Sequence, residues 1–324
     1  MPKVDPALAA TSAHDGCTSL RLSMAGGITQ FGAYIETVAQ GAWTSERHWH
    51  DAEDEFAYVL DGTVTLHDDT GLHDLAAGDA VCWPHGDPNA HHMTNRGRTP
   101  ARLLVVGTRV ACDICRYPDS GRVQVNSATG WQVLDRDGTV LRGGDLPAEL
   151  MNLPPVWGQA FTAPAAGRLQ RADARIWVEE AAWTHPVLGA SLGPYRHVVL
   201  GDPGGLSQFG AHLEALPPGT RSSLRHWHEA EDEMVLMLSG DLMLIEDDET
   251  PLGPGDAACW PAGWAVGHCL ENRSAAEAVY LVLGTRKTRD VIHYPDHDLI
   301  TVKDGAARSH RRGDGTPIAP RRTE

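Results

Sequence analysis

The tetrapeptide RHWH occurs twice, at 47–50 and 225–228, and both copies run on into one pattern. The first reads HWHDAEDEFAYVLDG and closes on Gly62; the second reads HWHEAEDEMVLMLSG and closes on Gly240. ITQFGA at 28–33 likewise matches LSQFGA at 206–211. The offset of 178 residues between these copies becomes 177 from Gly78 and Gly255 onward, so one residue is lost in the hairpin between. It then holds through His91 and His268, GTR at Gly107 and Gly284, YPD at Tyr117 and Tyr294, and DGT at Asp137 and Asp314. So long a period in 324 residues describes one domain made twice, not a stack of short units. The expected division is an N-terminal domain at 1–144, a linker and lead-in strand at 145–194, and a C-terminal domain with an Arg-rich tail at 195–324. The linker assignment rests on the Pro-rich stretches LPAELMNLPPVWG and TAPAAG, and the tail is either a frayed end or an arm on the other domain.

Within each copy, short β-branched and aliphatic runs alternate with turn residues. FAYVL, TVTLH, AVCW and RLLVVGT correspond to MVLML, DLMLI, AACW and VYLVLGT, with DG, DDTG and AAGD between them. That is an all-β pattern. Two histidines one residue apart on a strand face the same way, and a carboxylate beyond the next turn can meet them. The paired motif therefore starts a metal site in each domain.

Composition narrows the partners. The net charge of −16 argues against nucleic acid, which needs a basic surface to displace counterions, and against anionic membranes. A small-molecule substrate and a second copy of the chain, as a homo-oligomer (dimer), are the expected partners. No run of 18 apolar residues and no leader pattern are visible, and the expected location is cytoplasmic. The six cysteines follow no secreted framework; Cys82 and Cys259 are matched apolar strand residues, and Cys112–Cys115 is a lone CxxC lacking further ligands.

With these pieces assembled, the chain resembles the cupin superfamily, and specifically a bicupin. One family motif, G-x5-H-x-H-x(3,4)-E-x6-G, is matched by Gly41, His48, His50, Glu55 and Gly62, and again by Gly219, His226, His228, Glu233 and Gly240. The second, G-x5-P-x-G-x2-H-x3-N, is matched by Gly78, Pro84, Gly86, His91 and Asn95, and by Gly255, Pro261, Gly263, His268 and Asn272. Both copies place four residues, not two, between the last glycine and the histidine, a shared longer loop. The resemblance implies two tandem antiparallel jelly-roll barrels. It also implies two metal sites, His48, His50, Glu55 and His91 in one and His226, His228, Glu233 and His268 in the other. Imidazole suits iron, manganese, nickel, copper and zinc, and four protein ligands on a six-coordinate ion leave two positions open. Without a cation, the buried imidazoles would stay unpaired at ~1–3 kcal/mol each. Glu55 is preferred among the neighbouring acids by its spacing to Gly62, with Glu53 as the fallback ligand. The remaining acids, Asp51 and Asp54, are expected to be a solvated turn.

Alternation carries the comparison further. Glu46, Thr44, Ala57, Val59 and Met93 should face the first pocket, and Leu224, Ser222, Val235, Met237 and Leu270 the second. The N-terminal pocket is then the roomier and bears an extra carboxylate, so Glu46 and Glu55 are its expected catalytic residues and the N-terminal barrel the expected site of turnover. Trp49, Trp227, Trp83 and Trp260 read as sheet-packing or inter-subunit aromatics. Arg47, Arg225 and His92 should point away from the metals. The preferred reaction is dioxygenase-type cleavage of a diol, enediol or diketone. The alternatives are a redox-neutral isomerase (sugar or sugar-phosphate included) or decarboxylase, and a non-catalytic metal- or ligand-binding protein. A phosphate-bearing substrate would want a cationic cradle, and no Lys or Arg is predicted inside either pocket.

Overall fold

The computed structural model describes residues 2–146, 167–181, 184–189 and 192–320. Among them the regular elements are strands, apart from a helical turn at Leu22–Ala25 and a 3-10 turn at Pro295–His297. The chain forms two compact units. One comprises 5–175 together with 200–210; the other comprises 1–4, 176–199 and 211–324.

In the N-terminal unit, a seven-stranded antiparallel sheet runs in the order Thr11–His14, Cys17–Arg21, Phe31–Val38, Ala101–Thr108, Glu55–Asp61, Ala80–Trp83, Leu169–Gln170. A three-stranded sheet (Gly71–Ala76, Thr63–Asp68, His92–Thr94) holds the other wall, with apolar side chains between: Ala57, Val59, Leu66, Leu75, Val81, Met93 and Leu103 are all buried. The C-terminal unit repeats this scheme. Ala278–Thr285, Glu233–Ser239 and Ala257–Trp260 are consecutive strands of its large sheet, and Glu249–Leu252, Leu242–Ile245 and Cys269–Glu271 form its small one. Val235, Met237, Leu244, Leu270 and Tyr280 fill the space between. These are the jelly-roll barrels expected from the strand pattern, and the eight strand runs read from sequence lie in strands except for Asp241 at the start of DLMLI.

The motif glycines are needed for backbone reasons. Gly62 and Gly240 have φ of +76° and +72°, and a Cβ would lie 3.0 and 2.7 Å from the Cα atoms of Ala101 and Ala278. The motif asparagines are fully buried staples. Asn95 Nδ2 donates to the Val38 and Thr99 carbonyls, as Asn272 Nδ2 does to those of Leu216 and Ala276.

The expected linker is not one segment. Leu169–Gln170 pairs with Val81 and Ala80 in the N-terminal unit, while Val178–Glu180 pairs with the strand Tyr195–Val199 of the C-terminal one. Most of the Pro-rich sequence, 147–166, lies outside the described residues. The Arg-rich tail is neither frayed nor an arm on the other domain where it is described: Ala307–Arg311 pairs with Leu299–Asp304 and extends its own unit's sheet. No helix among the described residues is long and apolar enough to cross a membrane.

Candidate metal centres

Of the first two ligand histidines in each barrel, one immediately precedes a two-residue strand and the other ends it, Trp49–His50 or Trp227–His228. A single bridge ties His48 to His91 and His226 to His268. The carboxylate comes from the first residue of the next strand, Glu55 or Glu233. In the N-terminal barrel His48 Nε2 and His91 Nε2 lie 3.8 and 3.1 Å from Glu55 Oε2, and His50 Nε2 lies 3.8 Å from Oε1. In the C-terminal barrel the Nε2 atoms of His226, His228 and His268 stand 4.0, 3.7 and 3.1 Å from one oxygen, Glu233 Oε2. Bonds of ~2.1 Å to a common ion set neighbouring donors ~3 Å apart, so both groups have the dimensions a divalent ion requires.

Behind these ligands, further groups fix which ring nitrogen faces inward. His50 Nδ1 meets Asp113 Oδ2 at 2.6 Å and His228 Nδ1 meets Asp290 Oδ2 at 2.5 Å, and both aspartates are buried. His48 and His226 Nδ1 sit 2.8 and 2.9 Å from the carbonyls of Glu46 and Leu224. Each contact leaves Nε2 for a metal. Trp83 stacks on His91 with centroids 3.7 Å apart, as Trp260 does on His268 at 4.0 Å. Two of the four tryptophans, expected in sheet packing or between subunits, thus stack on ligand rings. The other two pack on their register partners in the sheet, Trp49 beneath the Arg116 guanidinium and Trp227 stacked on His293.

Electrostatics follow from enclosing three imidazoles and a carboxylate. Burial pushes His91 and His226 down to about 4, keeping them neutral. Burial opposes charge on His228 too, yet Glu233 and Asp290 outweigh it and raise it to about 9. Burial also works against ionised Glu55 and Glu233, but their histidines, His50 and His228 foremost, hold both well below the usual carboxylate range. A cation in the cluster is what both carboxylates favour.

Several expectations need correction. The acidic run is not a solvated turn. Asp54 is fully buried and accepts hydrogen bonds from the backbone N–H groups of His85, Ser207 and Gln208, and Asp232 accepts from that of Ala262. Asp51 alone of that group fits the expectation in part, paired with Arg116 near the surface. Glu53 lies behind His50, 3.8 Å from Nδ1, and burial lifts it to about 8. Glu46, expected to be desolvated beside the metal, is half-exposed and paired with Arg122. The reason is that the segment before His48 is a turn rather than strand, so alternation does not extend back to it. Arg47 and Arg225 point away as expected, to Asp69 and Asp119 and to Asp247 and Asp296. His92 turns to His67 and the Ser45 carbonyl.

A cavity of about 130 Å³ lies against the C-terminal ligands, lined by His226, Glu233, His268, Ser222, Glu214 and Tyr280. Tyr280 Oη donates to Glu214 Oε2 at 2.6 Å, and burial raises Glu214 above the ordinary carboxylate range. An outer chamber of about 220 Å³ shares Glu214, Ser222 and His226 and adds Tyr195, Tyr294 and Arg221. In the N-terminal barrel, the positions corresponding to Glu214 and Tyr280 are Glu36 and Leu103, and Glu36 is engaged by Ser19 at 3.2 Å. Alternation along the ligand-bearing strands missed these residues because they project from the neighbouring strands Phe209–Leu216 and Ala278–Thr285. Asp113 and Asp290 were legible in principle, since they too stand 177 residues apart, ahead of the paired YPD.

A cupin-domain family model matches residues 34–107 and 212–284. A cupin-superfamily sugar phosphate isomerase from Silicibacter pomeroyi is 36% identical over 47% of this chain and 100% of its own, with a TM-score of 0.41. The oxalate decarboxylase of Lactobacillus farciminis is 15% identical over 88% of this chain and 86% of its own, TM-score 0.54. That of Bacillus subtilis is 16% identical over 91% and 78%, TM-score 0.51; these two likenesses are of fold. No curated protein sequence matches the chain significantly.

Proposed function

The chain belongs to the cupin family, and on that premise we propose that it is a metal-dependent enzyme whose C-terminal barrel performs redox-neutral proton transfer, isomerisation or decarboxylation, on a small polar metabolite. The observation that carries the reading is the cavity in which Glu214 and Tyr280 share the walls with His226, Glu233 and His268. His226, His228, Glu233 and His268 would hold a divalent ion, which supplies Lewis-acid polarisation of a substrate carbonyl.

The chain's own groups do the rest. Glu214, lifted by burial above the ordinary carboxylate range, is placed to take up and return a proton as the general acid–base group. Tyr280 stays a phenol, because burial and then the Glu214 charge oppose its ionisation, and its hydroxyl fixes the carboxyl's orientation. Ser222 and Ser223 present hydroxyls along the same wall, and Arg221 at the outer chamber meets an anionic substituent. The space is several times that of one water, which suits a small metabolite. Sugar phosphate isomerisation, the activity named for the Silicibacter relative, is one member of this class, with Arg221 as the phosphate-side cation. Oxygen-dependent cleavage is the second reading, since the ligand set serves a redox metal equally.

The test combines elemental analysis with a panel of hydroxy-carbonyl compounds and keto acids in deuterated water. Deuterium entering the carbon skeleton without oxygen uptake, and lost in Glu214→Gln at full metal content, is the expected result. Oxygen consumed in step with substrate would replace this reading with the oxygenase.

A further inference from the structure

The strand Asp113–Tyr117 presents three side chains to one face of the N-terminal centre, and the middle one has no equivalent in the other barrel. Asp113 holds His50, and Tyr117 lies over His48 with ring centroids 5.9 Å apart. Between them Cys115, directly opposite His50 in the strand register, is buried and unoxidised. Its Sγ and one ring nitrogen each from His48 and His50 all lie within 4.8 Å of one another. In the C-terminal barrel the register partner of His228 is Ile292, a side chain with no donor atom.

We propose that the N-terminal centre is a mixed imidazole–thiolate metal site in which Cys115 is a donor alongside His48 and His50. A thiolate is a soft ligand, and its presence moves preference toward zinc, copper or iron and away from manganese. The all-nitrogen-and-oxygen centre formed by His226, His228, Glu233 and His268 keeps no such bias. Coordination breaks the S–H bond of Cys115, forms a sulfur–metal bond and releases the proton to solvent, with no change in oxidation state. The two halves of this duplicated chain would then hold different metals. This inference does not depend on which barrel turns over substrate.

The experiment loads metal-free full-length protein with cobalt(II) to two ions per chain, verified by elemental analysis, and records the absorption spectrum. The wild type is expected to show a near-ultraviolet thiolate-to-cobalt charge-transfer band, and Cys115→Ser to lose it while still folding and binding cobalt. Loading from an equimolar zinc and manganese mixture should retain zinc at the N-terminal centre in the wild type and less of it in Cys115→Ser. A wild type carrying two cobalt ions without the band overturns the proposal, as does a band that survives in Cys115→Ser. Failure to bind cobalt at all would remove it together with the ligand assignment of both barrels.

Discussion

The two barrels carry the same four ligands and the same supporting aspartate and tryptophan, yet their surroundings have parted. In the C-terminal barrel Glu214 meets Tyr280 and faces a cavity; in the N-terminal barrel Glu36 is held by Ser19, and Leu103 stands in the tyrosine's place. Behind the second histidine, Glu231 is paired with Lys303, whereas Glu53 has Asn126 at the corresponding position. The groups that could hold a cation have been kept in duplicate, while the walls that would choose a substrate have diverged. Ligand identity therefore gives both centres the same candidate metal donors and leaves to the walls the question of which one does chemistry.

The largest effect should come from exchanging those walls. Glu214→Gln is expected to lower turnover by ~10²–10⁴-fold with metal retained, the range for losing a general acid or base. Glu36→Gln should leave it within twofold. Equal losses in steady-state kinetics would abolish the distinction between the barrels.

Next in size is the supporting aspartate. Asp290→Asn and Asp113→Asn should each weaken metal binding at their own centre by ~10–100-fold, read by chelator competition, because the ring loses the group that orients it. Loss at both centres from either substitution would mean that the sites are not independent.

The smallest effect concerns pH. Glu53 titrates at about 8 in the folded protein against 4.5 ordinarily, so between those values the folded state binds more protons than the unfolded chain. Its contribution is intact below 4.5 and is lost as pH rises through 8. In chelator-treated protein, Glu53→Gln should raise Tm by ~2–4 °C at alkaline pH, roughly the shift for 1 kcal/mol, and leave it unchanged at acid pH. Glu231→Gln, which breaks an ion pair, should lower Tm instead. A rise in both would erase the contrast.

Much of this was readable beforehand. Alternation and turn residues located the strands, and the repeat located His48, His50, Glu55 and His91 with their counterparts. What stayed hidden has a common cause. Asp113, Glu214 and Tyr280 reach the centres from strands outside the motifs, and sequence periodicity carries no information on which strand will lie next to which. The burial of Asp54 was hidden for a related reason. A run of acids has the composition of a surface turn, and only donors from residues 207 and 208 make one of its members an interior group.

Those donors bear on the order in which the molecule can be completed. Asp54 is translated ~150 residues before Ser207 and Gln208, whose backbone N–H groups it requires. A carboxyl group enclosed without its donors costs ~1–3 kcal/mol, a sizeable share of a domain's stability. The first barrel thus waits, incompletely satisfied, until the ribosome has passed the start of the second. A gene fragment ending at 199 should yield a weaker, aggregation-prone product, and one extended to 210 a sounder one.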